Sequence, residues 1–289
     1  MVYLVTIPSP VAAGGAGMWT YPSDASCPAA DGLQSCIDGT NPGDTIQIAT
    51  NSVDEFAQVR TSLTMNPATG FHPVFSQGMS VDPSTGSINV TLTGLEFDYL
   101  LNVEFDGGSG HQVTLDGVKI HPSGGENALV FLAYNPGTLT VKNSTISMNS
   151  SQFPVLATDF LSTGATKLVL IGDKIDAHGG SSTGTGVDLY FDSGSHAEVD
   201  IYNTSIWDVG TCRCGNAAGI GIEANGTSQS VVNLVGDTVD KSKTSGLSLR
   251  NDLTAGGSLK LGIYNSIFAN AQDFGIALEN ASDPSLLTF

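Results

Sequence analysis

A register that recurs seven times constrains this chain more than any other feature: apolar, any, apolar, any, Gly or Asn, two of any kind, apolar. It is filled by Val90-Leu92-Gly94-Phe97, Val113-Leu115-Gly117-Ile120, Leu139-Val141-Asn143-Ile146 and Leu168-Leu170-Gly172-Ile175. It continues as Val199-Ile201-Asn203-Ile206, Val232-Leu234-Gly236-Val239 and Leu261-Ile263-Asn265-Phe268. Successive starts lie 23, 26, 29, 31, 33 and 29 residues apart, so the unit is constant while the insertions vary. A second short strand follows each unit at a looser offset: Leu101-Val103, Leu129-Phe131, Val155-Ala157, Val187-Leu189, Ile220-Ile222, Leu247-Leu249 and Ile276-Leu278. Gly186, Gly219, Gly246 and Gly275 introduce the last four, and Asx residues such as Asp106, Asp159 and Asp192 stand near the strand ends. Period-two apolar spacing predicts strands, and the punctuating Gly and Asx predict tight turns.

Strands this short cannot bury a face alone. Stacked coils solve the problem, because each strand pairs with its copy one coil away and the apolar columns fuse into one core. With paired strands about 4.8 Å apart, eight to nine coils make a rod on the order of 40 Å long. The expected fold is all-β: a right-handed, single-stranded parallel β-helix with a short N-terminal capping helix. Leucine-rich repeats need a shorter unit, and propeller blades need four strands in ~40 residues. Composition agrees, with 35 glycines, 40% hydrophobic and only 13% charged residues. No apolar run approaches the ~18 residues of a membrane span. Three arginines and a net charge of −18 exclude nucleic-acid binding by charge.

Residues 1–31 read as an N-terminal extension, 32–45 as the capping helix and its turn, and 46–289 as the solenoid. Leu33, Cys36 and Ile37 share one helical face, and Asn41-Pro42-Gly43-Asp44 is turn chemistry. Such a helix covers the exposed core and open strand edge at the end of a solenoid. Cys27 and Cys36 flank this cap and are expected to form a disulfide. Cys212 and Cys214 are placed several coils away, either bridged to each other or free. Met1–Ile7 lacks a basic n-region and makes a poor signal peptide, yet the acidic, Lys-poor composition and the cysteines point to a secreted or cell-surface protein. Ser285–Phe289 begins another strand without a polar cap, which predicts an end-to-end contact or a missing C-terminal region.

The stretch Leu33-Gln34 through Gly43-Asp44-Thr45-Ile46, then Thr61–Met65 and Gly70-Phe71-His72-Pro73-Val74-Phe75, resembles the start of right-handed parallel β-helix repeat proteins of the pectate-lyase-like superfamily. The resemblance covers about residues 32–289 and implies the fold together with carbohydrate-binding or sugar-hydrolysing repeats. The Asn-Thr-Asp, Asp-Asp and Gly-His-Gly signatures of polygalacturonases are missing, Ala177-His178-Gly179 being the nearest match. Arg213 and Arg250 stand in no recognisable lyase motif.

In a solenoid, one register position becomes a column. The position after the last apolar anchor reads Asp98, His121, Ser147, Asp176, Trp207, Asp240, Ala269. Asp176, Asp208 and Asp240 are therefore the candidate catalytic carboxylates, since glycoside hydrolysis uses two within ~5–10 Å. Trp207 and His178 are the candidate substrate-binding residues, Trp207 as a sugar-stacking face. The same carboxylates would equally suit calcium. His121 and His196 read as turn residues. Thr64, Thr91, Thr114 and Thr140 form an outward column, which raises ice binding as a remote alternative to ordinary strand pairing.

Two readings follow. The regular repeat without enzyme signatures points to an extracellular scaffold, glycan-binding or adhesin-like, whose partner is a polysaccharide or cell-surface glycan. The alternative is a polysaccharide-degrading enzyme, a hydrolase before a lyase, using paired Asp on adjacent coils. A chain of charge −18 repels polyuronates unless divalent cations bridge them, so neutral glycans fit better.

Overall fold

A computed structural model describes residues 16–288 except 26, 28, 84–85, 125, 149–152, 178–183, 210–217 and 282–285. The repeat register becomes a right-handed parallel β-helix of three parallel sheets with eleven, nine and nine strands. Nine three-strand coils stand among the described residues, and the fourth shows the plan: His111–Asp116 in the first sheet, Lys119–Ile120 in the second, Leu129–Ala133 in the third. Each strand pairs in register with its copies in the coils before and after, as Val113 does with Val90 and Leu139.

The Gly-or-Asn position of the repeat turns the chain from the first sheet into the second. Gly94, Gly117, Asn143, Gly172, Asn203, Gly236 and Asn265 all have φ between 51° and 72°. That left-handed region costs most L-residues about 1–2 kcal/mol and favours Gly and Asn. Neighbouring coils also restrict the choice: a Cβ on Gly236 would lie 2.6 Å from the Asn203 Oδ1. The residue after each bend points inward. Where it is polar, it serves the backbone: Ser144 N–H donates to Asp173 Oδ1 at 2.7 Å and Thr204 N–H to Asp237 Oδ1 at 2.8 Å. The amide of Asp237 donates in turn to Ser266 Oγ at 3.2 Å. Burial raises the carboxyl of Asp173 to about 7 and that of Asp237 to about 6, against the N–H bonds that favour the charged form.

The core columns interlock by size. Phe105, Ala133, Phe160 and Phe191 share one inward column of the third sheet. Phe131, two residues before Ala133, fills the space that the alanine leaves, with ring centroids 5.0 Å from Phe105 and 5.8 Å from Phe160. The fifth coil differs from the sequence expectation. Val155-Ala157 is not the inward pair; the strand is Leu156–Phe160, with Leu156 and Phe160 inward and Ala157 outward. Seating Phe160 between Phe131 and Phe191 sets that phase. The strand-entry glycines have a packing reason: a Cβ on Gly219 would lie 2.1 Å from Val239 Cγ1 and 2.6 Å from the Gly246 carbonyl oxygen.

The N-terminal end is closed as expected. Helix Gly32–Gly39 buries Leu33, Cys36 and Ile37 over the first coil, and Cys27 is disulfide-bonded to Cys36. Glu55, from the first coil, caps the helix by accepting the amides of Leu33 and Gln34. The Gln34 amide group stands in for a missing coil: Oε1 accepts the Gln58 N–H at 2.6 Å and Nε2 donates to the Gln58 carbonyl at 3.0 Å. Residues 18–21 add a further strand to the first sheet, Met18–Tyr21 against Asp44–Ile48. Asp44 fixes that edge, accepting from the amides of Gly17 and Asn41 and from the Trp19 indole. At the other end, Ile276 and Leu278 occupy inward columns but are 44% and 55% exposed, whereas Leu247 and Leu249 one coil before are buried. Leu287–Thr288 pairs with Leu259–Lys260. The Cys212-Arg213-Cys214 segment lies outside the described residues. Among the described residues no helix is long and apolar enough to cross a membrane.

Candidate functional site

The column read from the repeat is the outer face of the second sheet. Asp176, Trp207 and Asp240 are direct ladder neighbours in three successive coils. Trp207 is 38% exposed between the two carboxylates, and Asp240 Oδ1 accepts from Asn270 Nδ2 at 2.6 Å. Asp208 sits one residue on, at a bend with φ 57°, in the same position as the left-handed Lys241 and Asn270. Its backbone amide donates to the Asp240 carbonyl at 3.1 Å. His178 lies outside the described residues. His196 opens the strand His196–Tyr202 instead of forming a turn, because its register pairs it with Ala165 and Gln229. The threonine column is aligned and begins one coil before Thr64, at Thr45, before passing to Val169, Asp200 and Asn233.

A second acidic group stands on the outer face of the third sheet, where sequence reasoning saw only strand-ending Asx residues. The ladder aligns Asp159, Tyr190, Glu223 and Arg250 in one column, and Ala157, Asp188, Gly221 and Ser248 in the next. Asp159, Asp188 and Glu223 are thus diagonal neighbours on consecutive coils, a spacing of about 7–8 Å between Cα atoms. All three are half-buried. In its column Asp188 is set between Ala157 and Gly221, neither of which carries a charge. Burial raises its carboxyl to about 6, and the charges of Glu223 and Asp159 push the same way. Asp159 is raised by burial and then by Asp192. Glu104, two coils before Asp159, is raised by burial and by Asp82 and Asp106, against a hydrogen bond from Asn102. Arg250 supplies a cation on this face, 3.7 Å from Glu223 and 2.8 Å from Asp252.

The connections from the second to the third sheet carry the length variation of the repeat. Residues 98–100 suffice in the third coil, but 177–186 and 208–217 are used in the sixth and seventh. Only Val187 separates Asp188 from the first of these long connections in the sequence. Protein sites that bind or transform ligands are commonly built where loops vary on a rigid frame. Partly buried carboxyls held near neutrality are the pattern expected of such sites.

The first sheet presents a different surface. Lys142 pairs with Asp116 at 3.1 Å, and Lys167 pairs with Glu198 and Asp200 at 2.7 Å each. Asp116 is lowered chiefly by the Asn143 hydrogen bond; Asp200 is lowered because the Lys167 and Asn233 bonds outweigh its burial. Beside these pairs runs a groove of about 760 Å³, lined among others by Lys167, His196, Gln229 and Lys260. The groove and the acidic face of Asp159, Asp188 and Glu223 belong to different sheets.

Comparison with protein-family models, with characterised proteins and with solved structures yields no match for this chain.

Proposed function

We propose that the chain is an extracellular β-helix that binds a neutral glycan along the outer face of its third sheet. The observation that carries this reading is the run of half-buried carboxyls on consecutive coils, Asp159, Asp188 and Glu223, with burial favouring the neutral form of Asp188. A neutral carboxyl both donates and accepts, which suits sugar hydroxyls. Tyr190 adds an aromatic surface within the same column. The coil repeat offers a ligand one carboxyl on each of three consecutive coils, a spacing that an extended polymer can follow. The disulfide fits an oxidising compartment. The coil architecture and the N-terminal motif support kinship with the pectate-lyase-like superfamily.

Affinity electrophoresis on a panel of neutral and acidic polysaccharides tests the reading. Retardation by a neutral polymer, lost in D159A/D188A/E223A but kept in K167Q, is the expected result. Absence of binding to every neutral polymer, or unchanged binding by the triple variant, overturns it.

One observation favours hydrolysis as a second reading: a carboxyl raised to about 6 lies diagonal to two others. Asp188 would then protonate the glycosidic oxygen, with Glu223 or Asp159 as the partner carboxylate. Reducing-sugar release that disappears in D188N supports this reading, and release unchanged in D188N rejects it. Asp176, Asp208 and Asp240 form the competing carboxylate set. D176N/D240N serves as the parallel variant.

A further inference from the structure

The outer face of the second sheet carries a third cluster, remote from the glycan face in register. Glu96 and Asp98 stand two residues apart along the third coil, and the fourth coil brings Lys119 beside Glu96 and His121 beside Asp98. The imidazole of His121 faces a carboxylate at each nitrogen, Nε2 at 2.9 Å from Glu96 Oε1 and Nδ1 at 3.2 Å from Asp98 Oδ1. One ligand atom from each of the three residues lies within 4.8 Å of the others. The groups are half-exposed, and a small pocket of about 90 Å³, lined by His72, Glu96 and Lys119 among others, opens beside them.

We propose that Glu96, Asp98 and His121 form a binding site for a borderline divalent first-row cation, of which Zn²⁺ is the representative. The donor set decides the class. One imidazole and two carboxylates match the mixed nitrogen–oxygen preference of Zn²⁺ and its neighbours. Calcium needs six to eight oxygens, more than these residues offer. The ladder pairs Glu96 with Lys119 and so fixes the two coils against each other, with the three ligand atoms already in mutual reach of one ion. Three protein ligands leave a position for water or a ligand atom. The ion takes the lone pair of one ring nitrogen, so that nitrogen must carry no proton when the metal is bound. Lys119, 3.5 Å from Glu96 Oε2, opposes the ion, which is why the site is expected to be moderate in affinity.

Isothermal titration of the chain, free of any histidine tag, with Zn²⁺ and separately with Ca²⁺ tests the site. The expected result is one saturable Zn²⁺ per chain, lost in H121A and weakened about tenfold or more in E96Q and D98N. K119Q should bind a few-fold more tightly, an effect that mere loss of structure does not produce. Thermal unfolding of each variant without metal verifies that it is folded. Binding that survives H121A unchanged, or that disappears only in C212S/C214S, assigns the ion to other groups and overturns the proposal. So does the absence of saturable Zn²⁺ binding, or Ca²⁺ binding that the same variants abolish.

Discussion

The first and third sheets share strand geometry, coil spacing and inward packing, yet their outer faces treat charge in opposite ways. On the first sheet Lys142 and Lys167 stand against Asp116, Glu198 and Asp200, and Asp116 and Asp200 are held below the usual carboxylate range. On the third sheet Arg250 stands beside Glu223 and Asp252, while Glu104, Asp159 and Asp188 are pushed upward by burial first and then by neighbouring carboxylates: Asp82 and Asp106 for Glu104, Asp192 for Asp159, and Glu223 and Asp159 for Asp188. Paired charges on a strand face are a structural solution that water could replace at little cost. Carboxyls left close together and half-buried cost stability and are the kind of feature that a ligand site retains. The difference supports the proposal that the two faces do different work on one scaffold.

The largest effect expected from this contrast is in binding. D159A/D188A/E223A should weaken retention by a neutral glycan at least tenfold, about 1.4 kcal/mol, while K167Q leaves it unchanged. Equal loss in both variants, measured by the same affinity gels, would erase the distinction between the faces.

The next effect is on pH-dependent stability. Asp173, Asp188 and Asp237 have folded-state values of about 7, 6 and 6 against an ordinary 3.8. The folded chain therefore keeps protons that the unfolded chain has lost. Their contribution is full below about pH 4 and is lost as pH rises through 6 to 7. Urea unfolding should show lower stability at pH 8 than at pH 5. D188N should remove on the order of 2 kcal/mol of that difference, without breaking a bend hydrogen bond. Asp116 and Asp200 act in the opposite sense. Their stabilisation is present above the unfolded value and fades only as pH falls through their lowered folded values.

A bend common to all faces is the control. N203A forces alanine into φ 51° and should cost about 1 kcal/mol at pH 5 and pH 8 alike. N203G should cost much less, because glycine adopts that conformation freely. The smallest effect belongs to the first sheet. K167Q is expected to cost about 0.5–1 kcal/mol at low salt and less in 1 M NaCl, since the lysine is over a third exposed. A salt-insensitive loss would mean that packing of its methylene stem, not charge, holds this face.

Much of the architecture is legible in the residues. The Gly-or-Asn position predicted a bend, and every instance is a left-handed one, because only those side chains adopt positive φ at small cost. Leu33, Cys36 and Ile37 predicted the cap face, since a helix over an open coil must bury a stripe. The outer faces were less legible. Asp176, Trp207 and Asp240 could be aligned because they follow the template at a constant offset. Asp159, Asp188 and Glu223 could not, because each lies beyond a long connection whose length varies along the repeat, so the alignment has to be re-established after it. Phe160 shows the consequence: its seat between neighbouring rings moved the fifth coil's strand by one residue, and so turned Ala157 and Asp159 outward.

By itself, the sequence determined that this chain stacks as a parallel coil, because short alternating strands with a fixed bend residue have no other way to bury their apolar face. It also determined where each coil turns and that the Cys27–Cys36 pair staples the cap. Only the tertiary structure decided which charges meet. Side chains some thirty residues apart become neighbours when their coils pair in register, and that pairing is set by packing inside the solenoid. The tertiary arrangement put His121 between two carboxylates, paired Lys167, and set Asp188 diagonal to Asp159 and Glu223. Charge is read on the surface, but its arrangement is decided by the core.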